Sequence, residues 1–250
     1  MKKPYDQNSL KEEFPKIFKN YINESQKYTE KEKKNILNNF EKLLKTNMNI
    51  LFLGRTGVGK SSTINSIFKM DVANINFVKS CTNEITKYKL GNLNIYDSPG
   101  LGESKEKDEK YKKNIIDFLE KKDSSGNGLI DTVVYIFDAS SRDNAESITF
   151  INEILTPILG GDSKRLLIAL NKIDIVDSGF YFNKELNKPE IELENRLKEK
   201  IIYLKSKLKV EFEIIYYCAG IEYGKKKFCH IILIPFLNID PKMFQKKKEK

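Results

Sequence analysis

Eight consecutive residues, Gly54, Arg55, Thr56, Gly57, Val58, Gly59, Lys60 and Ser61, satisfy the pattern GxxxxGK[ST] at every fixed position. The chemistry this run suits is the holding of a polyphosphate. Its glycines let successive backbone N–H groups turn inward around anionic oxygens, and a following helix adds the partial positive charge of its N-terminus. Lys60 would reach the outer phosphates, Ser61 would ligate Mg²⁺, and Ser62 is the next hydroxyl along the same turn. The run follows the apolar stretch NILFL and opens SSTINSIF, the strand–loop–helix setting that gives the pattern its meaning.

A second cluster chooses the base. Asn171, Lys172, Ile173 and Asp174 follow the apolar run RLLIAL, so they stand at the carboxyl end of a buried strand, where open α/β sheets bind ligands. A carboxylate there can accept two hydrogen bonds from the ring N–H and exocyclic amine of guanine. Adenine lacks both donors and would leave the carboxylate unpaired, a strong discriminator. Between the two clusters lies Asp97-Ser98-Pro99-Gly100, at the end of the run LNIY. Asp97 can hold Mg²⁺ through water, and the Gly100 N–H can contact a γ-phosphate.

In this order and setting the motifs resemble the G domain of TRAFAC-class small GTPases, in the TrmE–Era-like group of MMR–HSR1 type, over about residues 49–235. The resemblance implies that Lys60 and Ser61 form the first box, Thr82 the second, Asp97 and Gly100 the third, and Asn171, Lys172 and Asp174 the fourth. Cys218-Ala219-Gly220 falls where the family's Ser-Ala-Lys fifth box stands, with Gly220 in place of the Lys. On this basis Thr82 senses Mg²⁺ and the γ-phosphate, and the Ala219 N–H meets guanine O6. Lys172 lies along the base, and Asn171 braces the loop. Cys81-Thr82 ahead of a hairpin is similar to stand-alone bacterial and interferon-inducible-like members. The NKID form of the fourth box argues against septin-like and immunity-associated members. Leu101 occupies the position where Ras-like enzymes carry a water-orienting Gln, which implies slow hydrolysis. Arg55 could act on the phosphates in cis or across a dimer.

These groups need a frame. Apolar runs at Ile50–Leu53, Ile85–Leu90, Leu93–Tyr96, Thr132–Phe137, Leu166–Leu170 and Glu213–Tyr217 predict six strands. Helical periodicity fills Lys60–Phe68, Glu106–Lys121, Ala145–Leu159 and Glu190–Lys207 between them. The alternation predicts an α/β fold, a mostly parallel six-stranded sheet with helices on both faces. Gly91-Asn92 between two strands predicts a hairpin and hence one antiparallel edge strand. Ahead of this, Leu10–Thr46 has apolar residues at spacings of three and four and reads as two amphipathic helices. The break is near Asn23–Thr29, with Thr29 and Glu32 placed for a capping box. The organisation expected is a helical arm over 1–48, a GTP-binding domain over 49–237 and a basic tail over 238–250.

Composition closes off other classes. The 250 residues are 40% hydrophobic, enough for a core, and the longest apolar run, Phe228–Leu237, is half the roughly 20 residues a spanning helix needs. Three cysteines without CxxC spacing suggest neither a disulfide framework nor a zinc site. His230, the single histidine, reads as a packing residue within that apolar run. The N-terminal residues lack the apolar core of a signal peptide, so a cytoplasmic protein is expected. About 15 residues follow the last expected element, so neither an RNA-binding KH domain nor a helical stalk is expected. The net charge of +9 is concentrated at the ends, with 11 Lys against 7 acids in 1–48 and 8 Lys against 2 in 225–250. The expected partners are GTP and GDP. Secondary expectations are RNA or ribosome contact through the basic ends, an anionic membrane surface with peripheral association, and a nucleotide-dependent homodimer. A scaffold with negligible turnover, self-associating through the helical arm, is the competing reading.

Overall fold

The strands that carry the motifs are apolar on both sides, and a sheet made of such strands must be covered on both faces. In β1 (Met48–Gly54), Ile50 and Phe52 point to one core and Leu51 and Leu53 to the other, and all four are fully buried. The computed structural model describes residues 7–26, 28–68, 78–79, 85–90, 92–102, 104–208, 214–221, 223–224, 227–228 and 232.

In chain order the elements are α1 (Gln7–Glu24), α2 (Glu30–Leu43), β1, α3 (Lys60–Phe68), β2 (Val78–Lys79), β3 (Thr86–Leu90), β4 (Leu93–Asp97) and α4 (Lys105–Leu119). There follow β5 (Thr132–Asp138) and α5 (Ala145–Phe150), which continues through a π-helical stretch, Ile151–Leu155, into α6 (Thr156–Ile158). The remainder are β6 (Leu166–Asn171), β7 (Phe182–Asn183), β8 (Lys188–Pro189), α7 (Ile191–Lys207) and β9 (Ile214–Tyr216).

The sheet order is β2-β3-β4-β1-β5-β6-β9, parallel from β4 to β9. Six of these strands are the six that the sequence pattern marks. The seventh, β2, is two residues long and pairs antiparallel with β3, which pairs antiparallel with β4, so β3 is the one strand that runs against the rest and β2 lies outside it at the edge. A segment that short carries no readable alternation. β7 and β8 form a separate hairpin.

One face is covered by α1, α2 and α3 and by Phe228 and Ile232; the other by α4, α5, α6 and α7. The N-terminal pair is therefore part of the main core. Phe18, Ile22, Ile36 and Phe40 are buried with Tyr88, Leu93 and Ile95 of the sheet, and the Phe18 and Phe40 rings lie 4.2 Å apart. The predicted capping box is present: the Glu32 N–H donates to Thr29 Oγ1 at 3.3 Å, and the Thr29 N–H donates to Glu32 Oε2 at 2.7 Å. Among the described residues no helix is long and apolar enough to cross a membrane.

Candidate functional site

The parallel ladder brings the motif-bearing ends to one rim of the sheet. β4 ends in Asp97 beside Phe52, and β5 ends in Asp138 beside Asn171. Each strand then turns into a loop, and those loops, with the phosphate loop after β1, surround a pocket of about 310 Å³. Its walls include Arg55, Thr56, Val58, Leu101, Asp138 and Lys172.

The phosphate loop has the strained backbone that its glycines allow. Gly59 sits at φ +93°, and a Cβ there would lie 2.5 Å from Nδ2 of Asn171. The position must be glycine because that amide crosses it to donate to the Val58 carbonyl at 2.9 Å. Lys60 is buried at 8% exposure and donates to the Gly54 and Arg55 carbonyls at 3.1 and 3.2 Å. Its ammonium is thus directed into the loop, where phosphate oxygens would replace weaker carbonyl acceptors. Ser62 is exposed on the first turn of α3.

Ser61 and Asp97 meet directly. The Ser61 hydroxyl donates to Asp97 Oδ2 at 2.6 Å, while Asp97 Oδ1 is buried with no hydrogen-bond partner among the described residues. Burial pushes the Asp97 carboxyl above its ordinary value, against the lowering effects of the Ser61 hydrogen bond and the Lys60 charge. A buried carboxylate oxygen without a donor is costly. A hydroxyl and one carboxylate are a fitting donor set for Mg²⁺, which keeps most of its shell as water and phosphate oxygens. These residues therefore fit the ion.

The third box lies against the first. The Thr56 N–H donates to the Leu101 carbonyl at 2.7 Å, and the Leu101 N–H donates to the Gly54 carbonyl at 3.4 Å. A Cβ on Gly100 would fall 2.3–2.5 Å from three atoms of Thr56, so Gly100 is required for this approach. Leu101 is itself buried at 7% exposure, which accounts for an apolar residue at that position. Arg55 faces the start of α5, 3.5 Å from Asp143 and 3.9 Å from Glu146.

The fourth and fifth boxes are joined to each other and to the phosphate loop. Asn171, buried at 2% exposure, binds Val58 through its amide nitrogen, and its Oδ1 accepts from the Ala219 N–H at 2.9 Å. That N–H, which the resemblance assigns to guanine O6, is thus engaged by Asn171 here. The Cys218 thiol donates to Asp174 Oδ1 at 2.9 Å. Burial first, then the Asp174 carboxylate, push the thiol up to about 11, so it remains a donor at neutral pH. Lys172 has a left-handed backbone, φ 63° and ψ 39°, and its Nζ pairs with Asp138 at 2.9 Å.

Thr82 lies outside the described residues, as do Cys81, Cys229, His230 and the tail over 238–250. Three further residues around the site belong to none of the motifs. Tyr217 and Thr63 share a buried hydrogen bond of 2.6 Å that ties the fifth box to α3. Asp138 was findable by the rule that located Asn171, since it too ends a buried apolar run, TVVYIF.

Comparison with known proteins places the chain in a family and gives its fold. The sequence model of the AIG1 family matches residues 48–186. GTP-binding protein A of Dictyostelium discoideum is 47% identical over 60 residues, 22% of this chain and 13% of that protein's length. The probable GTP-binding protein EngB of Mycoplasmopsis pulmonis is 28% identical over 164 residues, 64% of this chain and 80% of that protein. Among solved structures, Toc33 from Arabidopsis thaliana in complex with GDP and Mg²⁺ superposes with a TM-score of 0.54 and 19% identity. It covers 85% of this chain and 95% of its own, which establishes a shared fold. The family match bears out the resemblance to a TRAFAC-class G domain of the stand-alone, interferon-inducible-like kind.

Proposed function

This chain belongs to the AIG1 family of P-loop GTPases, and from that premise we propose that it is a Mg²⁺-dependent switch that binds GTP and GDP and hydrolyses GTP slowly. The observation that carries the reading is the bracing of three separate motifs by one side chain, Asn171, which bonds the phosphate loop at Val58 and the fifth box at Ala219. Such a brace sets the distance between a phosphate cradle and a base site, which a fortuitous glycine turn has no need of.

In this mechanism the loop from Gly54 to Ser62 wraps the phosphates and Lys60 neutralises their outer oxygens. Asp174 accepts from the guanine edge while the Cys218 thiol holds the carboxylate in place. Ser61, Asp97 and Thr82 would hold Mg²⁺, which would supply positive charge against the phosphates. Gly100 would contribute its N–H to the γ-phosphate. Leu101 has no group to orient water, so turnover is slow until a partner supplies one. Arg55, engaged by Asp143 and Glu146, must leave those carboxylates before it can assist. The domain comprises residues 49–237, with 1–48 as a helical arm and 238–250 as a basic tail. The competing scaffold reading has less support, because Phe18, Ile22, Ile36, Phe40 and Leu43 of the arm are buried against the sheet.

The test is the affinity for GTP, GDP, ATP and XTP with Mg²⁺, in wild type and in Asp174→Asn. We expect guanine nucleotides to bind, ATP to fail, and the variant to shift toward XTP. Equal binding of ATP, or no binding at all, would overturn the reading.

A further inference from the structure

The aspartate that ends β5 is bonded on every side, and its bonds lead to the fourth box. Asp138 Oδ1 accepts from the Ser140 N–H at 2.9 Å and from its hydroxyl at 2.6 Å, closing a tight turn. Asp138 Oδ2 accepts from Lys172 Nζ at 2.9 Å. Burial opposes the Asp138 charge, but the Lys172 and Ser140 hydrogen bonds outweigh it and hold the carboxyl below the ordinary range.

The turn is gripped from the opposite side as well. Lys200 of α7 donates to the carbonyls of Asp138, Ala139 and Ser141 at 3.2, 2.8 and 2.5 Å. Three carbonyls converging on one half-buried ammonium fix the loop after β5 to the helix that follows the fourth box. Asp138 and Lys172 both line the pocket that the phosphate loop borders.

A lysine stem has four rotatable bonds, and ordering it on ligand binding opposes affinity. An ammonium already tied down at its far end leaves the methylene stem laid out as apolar surface. We infer that Asp138 is a positioning residue for the base: it holds the Lys172 ammonium so that the Lys172 stem forms a preset platform in the nucleotide pocket, and Lys200 anchors the turn on which Asp138 stands. This rests on the guanine-nucleotide reading above and adds a residue that the five boxes omit.

A double-mutant cycle tests it. Asp138→Asn keeps an acceptor for Ser140 and removes the ion pair. We expect GDP affinity to fall by about five- to tenfold, the range for one charge-assisted bond in a half-buried pair, and Asp138→Glu, which restores the charge, to recover part of it. In a Lys172→Met background, which sets its own baseline, adding Asp138→Asn should change affinity by less than about twofold if the effect runs through Lys172. Equal losses in both backgrounds would mean that Asp138 acts on the loop alone and would overturn the inference, as would no loss in wild type. Should Asp138→Asn fail to fold, Asp138→Ser, which also lacks the carboxylate, serves in the same cycle. Wild type and Asp174→Asn, measured with GDP and XDP alongside, separate the two failures: if wild type binds no GDP the parent reading fails, and if it binds while the cycle is additive only this inference fails.

Discussion

Asp97 is where the packing of the sheet and the chemistry of the site conflict. It ends an entirely buried strand, yet the proposed Mg²⁺ site needs its charge. The raised carboxyl marks an ionised form that the fold disfavours when no cation is present. A carboxyl raised on folding stabilises below its unfolded pKa, and that contribution is lost as pH rises through the folded value, so at neutral pH the ionised group is a liability. Replacing it should therefore stabilise the protein without ligand and disable it with ligand. Asp97→Asn is expected to raise the Tm of nucleotide-free protein by about 2–4 °C and to remove the Mg²⁺ dependence of GDP binding, both measurable by thermal unfolding with and without the ion. A lower Tm without ligand would show that the charge is compensated in a way the Ser61 contact does not account for. Asp97 itself was readable from DSPG after a strand; its orphaned oxygen was not, because that depends on what packs over the strand end.

At the scale of elements, local pattern carried most of the assignment. Thr29 and Glu32 three residues apart announce the start of α2, and the box forms because both partners belong to one turn. The interior of α5 was less legible: a single helical period covers 145–159, while the structure inserts a π-helical stretch that no residue type signals. The placement of α1 and α2 was also hidden, since an amphipathic face specifies that it must be covered and not by what. Here the cover is the sheet, and Phe40 at its centre is fully buried. Phe40→Ala should cost about 3–5 kcal/mol, lowering Tm by roughly 6–20 °C, with loss of GDP binding only as the domain unfolds. A shift of a degree or two would mean that the pair packs loosely and is separable.

For the molecule as a whole, binding and folding are linked, because the brace through Asn171 exists only when phosphate loop, fourth box and fifth box are assembled together. GDP with Mg²⁺ at a hundred times its Kd is expected to stabilise the protein by about 2.7 kcal/mol and raise Tm by roughly 5–11 °C. ATP at the same concentration should not, and in Asp174→Asn the shift should pass from GDP to XDP. A Tm unmoved by GDP would mean that the boxes do not act as one site.

The amino-acid order alone determined the glycine-rich loop between strand and helix, the alternating strands and the capped second helix, and it singled out Asp174 as the carboxylate proposed to read guanine, because each rests on residues adjacent in the chain and on periods of 2 or 3.6. Tertiary structure alone decided that Asn171 spans 113 residues to reach Val58, that Asp138 holds Lys172, that Lys200 grips the β5 turn, and that the N-terminal helices belong to the core. Those contacts join positions far apart in sequence, and the register of a folded sheet is what sets such distances.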